Sequence, residues 1–425
     1  MASLSRRGVL GGVGGLAVAG LARASAGVPA KPAISPEALA RDERYWAQIA
    51  ALYDQPADII NLEAGYWGVM SAPVKAAFVE QTERVNREGS YYVRRRFGRD
   101  LAAVYARLAD FLSVDPDELL LVRSATEALQ ILIAGYNRLK PGDGVLYADL
   151  DYSAMKTAMA WLQQHRGADV IRIDLPEPAS RQALVDAYAE ALEAHPHIRM
   201  MLLTHVNNLT GLIHPIEAII PLAQARGVDV ILDSAHAIGQ IDFNFAGTGA
   251  DFIGINLHKW IGAPLGCGLI YIRKTRLAAI DPFMGEPGPV EQIRTRAHTG
   301  ALHFAAPLTI PAALDFHESI GVAGKQARLR YLRDLWVAQA RQITGIEILT
   351  PDEPGLAAAM TSFRLSGRTS AEANDQVVTQ LAERHGIFTV RRSGPAKGDC
   401  VRVSPALYTS ADEVKALVPA LRALV

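Results

Sequence analysis

A lysine and an aspartate each follow a short apolar run, where a buried strand of an α/β sheet would end. Asp233 comes directly after residues 228–232, and Lys259 lies four residues beyond residues 251–255. Ligands of open α/β sheets bind outside the carboxyl ends of the strands, so both side chains are candidates for chemistry. Taken singly, Asp233 could be a helix cap and Lys259 a solvated surface charge. Their occurrence at two successive strand ends favours a shared site.

An amine and a carboxylate at neighbouring strand ends are two of the three groups that pyridoxal phosphate (PLP) requires. Its aldehyde condenses with a lysine amine, and its ring nitrogen needs an anion to stay protonated and to draw electrons from the substrate. Its phosphate needs backbone N–H groups at the start of a helix. Residues 119–122, a predicted strand, lead into Ser124, Ala125, Thr126 and Glu127 before a helical run. This segment fits a phosphate site, although it is also the pattern of an ordinary helix N-cap.

Short apolar runs that alternate with helical stretches must position these groups. The alternation predicts an α/β fold, with a mostly parallel sheet of about seven strands and helices on both faces. From about Pro311 a long helix (326–343) and shorter pieces predict a smaller α+β domain, which the N-terminal segment, with a helix over residues 36–52, would complete. The predicted strands are residues 119–122, 144–147, 169–173, 199–204, 228–232, 251–255 and 267–272.

The composition excludes several classes of protein. The 425 residues include 43 Lys and Arg against 44 Asp and Glu, so the net charge of −1 gives no electrostatic reason to bind nucleic acid or an anionic membrane surface. Two cysteines, Cys267 and Cys400, cannot form a disulfide framework or a multi-cysteine metal site, and we expect no metal. No P-loop motif for nucleotides follows a predicted strand. We expect a small-molecule partner.

The N terminus is typical of a twin-arginine export signal. Arg6 and Arg7 precede a charge-free stretch, residues 11–22, and the small residues 24–26 fit a cleavage site. The stretch is too short and too rich in glycine for a stable membrane anchor. The alternative is an N-terminal tail in which the two arginines are accidental. The signal predicts a mature chain that starts near Gly27 in the periplasm.

Five short segments follow one another along the chain: Ser124-Ala125-Thr126-Glu127, Asp149-Leu150-Asp151-Tyr152, Thr204-His205-Val206-Asn207-Asn208, Asp233-Ser234-Ala235-His236 and His258-Lys259. Their order resembles that of the class V aminotransferase family, a branch of the fold-type I PLP enzymes. The resemblance covers roughly residues 60–415. Within the family, the segments are similar to the isopenicillin-N epimerase-like group, which includes an exported enzyme of pyoverdine maturation.

The resemblance implies a role for each segment. Lys259 would bind PLP covalently and act as general base and acid at the substrate α-carbon. Asp233 would pair with the ring nitrogen, and Arg402, on a strand near the C terminus, would bind the α-carboxylate bidentately. The other cofactor contacts would be Tyr152 stacked on the ring, Asn208 and His236 at the 3′-oxygen, and Ser124, Ala125, Thr126, Asn256 and His258 at the phosphate.

Thr299 and Gly300 resemble the segment that reaches the phosphate from a neighbouring subunit, which implies a homodimer with shared active sites. The signal and the resemblance divide the chain into a signal peptide (1–26), an N-terminal segment (27–75), a large PLP-binding domain (76–310) and a small C-terminal domain (311–425). Weaker candidates for substrate contacts are Arg391, Arg392, Tyr66 and Trp67, while the run Arg94-Arg95-Arg96 favours a solvated or dimer-contact face.

The reaction is less evident than the cofactor. Desulfurases of this family need a nucleophilic cysteine on a loop before the carboxylate arginine, whereas Cys400 lies two residues from Arg402 and Cys267 lies in an apolar run. The export signal indicates an amino acid, peptide or secondary metabolite met outside the cytoplasm. Transamination is our first expectation, with epimerisation and elimination or C–S lysis as alternatives. A non-catalytic binding protein of the same fold would predict loss of the lysine, aspartate or phosphate turn, and all three are present.

Overall fold

The computed structural model describes residues 27–284, 286–298, 300 and 303–425. The predicted export signal, residues 1–26, and the predicted phosphate contact Thr299 lie outside these residues. Within the described part of the chain, no helix combines the length and the apolar character that crossing a bilayer requires.

Strands and helices alternate through the first two thirds of the described chain. The strands are β1 (Ile60–Asn61), β2 (Leu119–Val122), β3 (Gly144–Ala148), β4 (Asp169–Ile173), β5 (Ile198–Thr204), β6 (Asp229–Asp233), β7 (Phe252–Asn256), β8 (Gly268–Ile272), β9 (Ile346–Ile348), β10 (Thr361–Leu365), β11 (Ile387–Phe388), β12 (Val390–Arg392) and β13 (Cys400–Val403). The α-helices are α1 (Pro36–Ala40), α2 (Glu43–Ala50), α3 (Ala72–Arg95), α4 (Phe97–Leu112), α5 (Ala125–Gly135), α6 (Ser153–Arg166), α7 (Arg181–Ala194), α8 (Ile216–Gln224), α9 (Ala305–Ile320), α10 (Val322–Ala340), α11 (Ala371–His385) and α12 (Ala411–Arg422).

The large sheet has seven strands in the order β2-β8-β7-β6-β5-β3-β4. In this sheet β8 runs antiparallel to both of its neighbours, and the other pairs are parallel. Apolar residues cover both faces, with α5 and α6 packed on one face and α7, α8 and α9 on the other. This arrangement confirms the predicted mostly parallel α/β sheet. Because β2, β3, β5, β6 and β7 share one direction, their carboxyl ends meet at one edge.

A smaller antiparallel sheet, in the order β12-β13-β10-β9, lies in the C-terminal part of the chain. Helices α10, α11 and α12 bury their apolar side chains against it. The N-terminal segment joins this part, because β1 pairs in parallel with β11 and α1 packs against α10. The two ends of the described chain therefore meet, and the strands β12 and β13 face the large sheet at the edge where its parallel strands end.

Two predicted helix boundaries differ from the structure. The single helix predicted over residues 36–52 is divided into α1 and α2, because the Asp42 side chain accepts a hydrogen bond from the Tyr45 N–H over 3.1 Å and caps a new helix start. The long C-terminal helix starts at Val322 instead of residue 326 and ends at Ala340. Neither change moves a predicted site residue.

Strand β8 lies directly against the turn that starts α5. A Cβ atom placed on Gly268, the first residue of β8, would lie 2.5 Å from backbone atoms of Ser124. The added atom would meet the backbone of Ser124, which cannot move aside as the end of a flexible side chain would. The absence of a side chain at position 268 therefore sets how closely β8 approaches this turn.

We predict that Gly268→Ala lowers the free energy of unfolding by about 1–3 kcal/mol, because the added methyl group forces the strand and the turn apart. Gly98→Ala is the matched control, since a Cβ on Gly98 meets no atom within 4 Å and this residue lies in helix α4. Urea unfolding followed by circular dichroism measures both variants. Equal stabilities for the two variants would contradict the close packing at Gly268.

Candidate active site

One cavity of about 410 Å³ opens at the carboxyl edge of the large sheet. Residues that follow β2, β5, β6 and β7 line it, together with residues of β12 and β13. Every predicted site residue that the structure describes lines this cavity: Ser124, Ala125, Thr126, Tyr152, Asn208, Asp233, His236, Asn256, His258, Lys259 and Arg402. The fold therefore brings together residues that the sequence spreads over 279 positions, from 124 to 402.

Lys259 lies in the turn that follows β7. Its Nζ is 2.8 Å from Nε2 of His236. The loop before α3 holds this turn, since the Gly68 N–H donates to the carbonyl oxygen of His258 over 2.8 Å. A Cβ at position 68 would lie 1.7 Å from the Lys259 carbonyl oxygen, so this approach requires glycine. Burial lowers the pKa of Lys259 from 10.5 to about 7, although Asp233 opposes the shift. Much of this amine is therefore neutral and nucleophilic near pH 7.

Asp233 is the last residue of β6 and is 5% exposed. Its carboxylate accepts a hydrogen bond from the Ala235 N–H over 2.9 Å. Burial raises the pKa of the Asp233 carboxyl group, and Lys259 opposes the shift. A buried carboxylate costs free energy unless a cation pairs with it. A protonated ring nitrogen would supply that cation, so Asp233 fits the predicted contact with PLP.

The turn between β2 and α5 presents the first amides of α5 to the cavity. Ser124 is the N-cap, and its Oγ accepts a hydrogen bond from the Glu127 N–H over 3.2 Å. The Ala125 N–H donates to Oδ1 of Asn256 over 2.7 Å. This contact differs from the expectation that the Ala125 amide is free for the phosphate, because Asn256 satisfies an amide that has no partner within the helix. Thr126 and the N-terminal end of the helix dipole remain for the phosphate.

Two histidines flank the lysine, and their hydrogen bonds determine which ring nitrogen carries the proton. Nδ1 of His258 is 2.9 Å from the carbonyl oxygen of Cys267, so this nitrogen donates and Nε2 is left for the cofactor. Nδ1 of His236 accepts from the Trp260 indole N–H over 3.2 Å, so its proton lies on Nε2 and faces Lys259. Burial lowers the pKa of both imidazoles, which keeps both rings neutral at pH 7.

Tyr152 and Asn208 complete the predicted cofactor contacts. Tyr152 directly precedes α6, and its half-exposed ring borders the cavity as a flat surface on which a ring can stack. Oδ1 of Asn208 is buried and has no hydrogen-bond partner among residues 27–284, 286–298, 300 and 303–425. A buried polar atom without a partner is expected where a polar ligand supplies the missing hydrogen bond.

Two arginines and a glutamate form a cluster at the strands of the small sheet. Nη2 of Arg402 is 2.5 Å from Oε1 of Glu63, and Nη2 of Arg392 is 3.0 Å from the same oxygen. Nη1 of Arg402 donates to the carbonyl oxygen of Asn208 over 2.6 Å. Burial lowers the pKa of Arg402 to about 10, so the guanidinium remains charged at pH 7. The sequence did not predict Glu63, because its contact with Arg402 joins residues 339 positions apart.

Neither cysteine side chain reaches the cavity. Cys267 and Cys400 are fully buried, and neither lines the cavity. Burial raises the pKa of each thiol to about 12. Neither sulfur is therefore a thiolate near neutral pH, which is the form that attacks sulfur or carbon.

The chain is similar to known PLP enzymes along most of its length. The family model for aminotransferase class-V matches residues 74–417. An isopenicillin N epimerase of Streptomyces clavuligerus is 29% identical over 75% of this chain and 82% of that protein. A probable cysteine desulfurase of Vibrio cholerae is 27% identical over 70% of this chain and 76% of that protein.

The same fold occurs in a solved structure whose cofactor was observed. The structure of the enzyme C-DES, with glycine covalently linked to PLP, superposes with a TM-score of 0.74 and 20% identity, over 86% of this chain and 97% of that one. Three features of the site fit this cofactor: the buried carboxylate of Asp233, the unpaired Oδ1 of Asn208 and the lowered pKa of Lys259. The chain belongs to the class V aminotransferase family of fold-type I enzymes, and its cofactor is pyridoxal phosphate.

Proposed function

We propose that this chain is an enzyme that acts at the α-carbon and amino group of an amino acid, or of a peptide or secondary metabolite that contains one, by a transamination-type conversion. One observation carries the proposal: a lysine amine, a buried carboxylate and a buried guanidinium line a single cavity. Lys259, Asp233 and Arg402 supply these groups. Each of them matches one part of an α-amino acid reaction on PLP.

Each side chain has a distinct task in this proposal. When bound, PLP withdraws electrons from the α-carbon of the substrate. Asp233 keeps the ring nitrogen protonated through its buried negative charge. Arg402 binds the α-carboxylate and thereby orients the substrate above the ring. Nζ of Lys259 takes the α-proton and can return it, since its lowered pKa of about 7 suits a base at neutral pH.

Epimerisation is the second candidate, and the relatives named isopenicillin N epimerase favour it. The two reactions share removal of the α-proton and differ in where a proton returns. C–S lysis is a third outcome, since solved structures of the cystine C–S lyase C-DES share this fold. A persulfide-forming desulfurase fits the cavity less well, because the buried Cys267 and Cys400 do not reach it. The products therefore distinguish the candidates.

We also propose that the enzyme works outside the cytoplasm, as a homodimer. The paired Arg6 and Arg7 before an apolar, charge-free stretch support export by the twin-arginine route, which carries folded proteins. Such a route suits an enzyme that acquires its cofactor in the cytoplasm. The similarity of Thr299 and Gly300 to a segment shared between subunits supports the dimer.

We predict that incubation with a panel of amino acids in the absence of a second substrate releases one equivalent of 2-oxo acid per active site. The amino group stays on the enzyme, so turnover stops until an acceptor is added. The reaction is run in D2O, and chiral liquid chromatography with mass spectrometry measures the products. Multiple equivalents of the opposite enantiomer, with deuterium at the α-carbon, would establish epimerisation instead, and release of pyruvate and ammonia would establish lysis.

Lysine variants control this experiment. Lys259→Ala is expected to lose about 10³-fold or more of the rate, and borohydride reduction followed by peptide mass spectrometry should find no cofactor on the variant. Lys415→Ala is the matched control, since Lys415 is exposed on α12 and does not line the cavity. Activity retained in folded Lys259→Ala would contradict the role of this amine.

We predict that the apoprotein captures added PLP faster as the pH rises through about 7, with little further gain towards pH 10. A lysine with a lowered pKa is neutral above that pKa, so the nucleophilic amine is formed near pH 7 and not near its ordinary value of 10.5. Stopped-flow absorbance measures the rate, and Lys259→Ala gives the background. A midpoint near pH 10 would show that Lys259 is not desolvated.

We predict that replacing Arg6 and Arg7 by lysine prevents export while leaving the enzyme folded and active in the cytoplasm. Twin-arginine recognition depends on the two guanidinium groups, and lysine preserves only their charge. Cell fractionation followed by immunoblotting measures the distribution, and sedimentation velocity of the exported protein measures its oligomeric state. Equal export of both forms would refute the twin-arginine route, and retention of the unaltered protein in the cytoplasm would refute the proposed location.

A further inference from the structure

In the cluster of Glu63, Arg392 and Arg402, one glutamate pairs with two arginines. Binding of a carboxylate by a single arginine does not need this pairing. Both arginines line the cavity, and they lie on the paired strands β12 and β13. Glu63 does not line the cavity, and its side chain is 7% exposed. The carboxylate therefore contacts both guanidinium groups without lining the cavity itself.

Main-chain and side-chain contacts hold Glu63 in this position. Its N–H donates to Oδ1 of Asn61 over 3.0 Å, and its backbone forms a bridge with Ser404, two residues beyond Arg402. One oxygen, Oε1, contacts both arginines, and the second, Oε2, is buried without a partner in the described part of the chain. A single acidic group thus faces two cations, and the cluster has a net charge of +1.

We propose that Glu63 is a specificity-determining positioning residue: by neutralising one of the two arginine charges, it adapts the substrate end of the cavity to a single carboxylate and selects against substrates with a second acidic group. This inference rests on the proposed function, because it takes the ligand of Arg402 to be the α-carboxylate of the substrate. A site with a charge of +1 is neutralised by one carboxylate. A second carboxylate would lose hydration without a free cation to pair with it.

The charge of the cluster also reaches the reacting amine. Burial is the main cause of the lowered pKa of Lys259, while Arg402 and Arg392 lower this pKa further and Glu63 raises it. The three charged groups therefore act on the cavity through space, and not only through direct contact with a ligand. Asp233 and His236 lie beside Lys259 at the cofactor end of the cavity.

The experiment compares valerate and glutarate, which have equal numbers of carbon atoms and one or two carboxylates. Isothermal titration calorimetry of the PLP-loaded enzyme gives the ratio of their dissociation constants. We expect Glu63→Gln, which keeps the shape of the side chain and raises the cluster charge to +2, to shift this ratio towards glutarate by about tenfold. The double variant Glu63→Gln with Arg392→Gln returns the charge to +1 and should restore the original ratio.

Two further variants serve as a check on folding and as a matched control. Arg392→Gln leaves the cluster neutral and should weaken valerate binding about tenfold, and the half-exposed position of Arg392 makes this variant informative if Glu63→Gln fails to fold. Glu43→Gln is the matched control, since Glu43 pairs with the buried Arg328 and does not line the cavity. It should leave both affinities unchanged.

Four results would overturn the inference. Three of them are an unchanged ratio in folded Glu63→Gln, an equal loss of affinity for both ligands in this variant, and a double variant that keeps the shift towards glutarate. The fourth is an Arg392→Gln variant that binds both ligands as the unaltered enzyme does. Because calorimetry needs no turnover, an enzyme that forms none of the expected products but shows the shifted ratio would contradict the proposed reaction and leave the charge selection standing.

Discussion

The parallel pairing of β6 with β7 is the constraint on which the active site depends. Asp233 ends β6 and pairs in register with Gly254 of β7, and five residues later the chain reaches Lys259. Parallel strands end at the same edge, so the carboxylate and the amine arrive on one side of the sheet. Antiparallel pairing of these strands would place them at opposite edges. The chemistry of PLP thus depends on strand direction before it depends on any side-chain contact.

Close backbone packing turns this arrangement into a defined site. Gly68 allows the loop before α3 to contact the turn of Lys259, and Gly268 allows β8 to contact the turn of Ser124. The amine and the phosphate turn are therefore held by neighbouring backbone, which moves less than side chains do. Asn256 adds a hydrogen bond between the end of β7 and the first amide of α5. These contacts join the two halves of the cofactor site through rigid elements.

The site contains several buried groups that a stability argument alone would not favour. Asp233 and Arg402 are buried, Lys259 is partly buried, and desolvation shifts the pKa of each towards its neutral form. Proteins retain such costly groups where a ligand completes their interactions. The cofactor would supply the missing partner for Asp233, and in the proposed function the substrate carboxylate would add a partner for Arg402. Glu63 supplies an internal partner, which explains how two arginines can share one end of the cavity.

The sequence determined the positions of the strands along the chain, the strand ends at which Asp233 and Lys259 lie, and the turn from Ser124 to Glu127, because apolar periodicity and strand ends are local patterns. Motifs whose order resembles a known family also predicted part of the cavity lining, including Ser124, Asn208 and Lys259. The tertiary structure alone decided that Asn256 takes the Ala125 amide, that Trp260 fixes the proton of His236, and that Glu63 meets Arg402. It also decided the burial that lowers the pKa of Lys259. Such properties depend on burial and on contacts between distant segments, which no local pattern encodes.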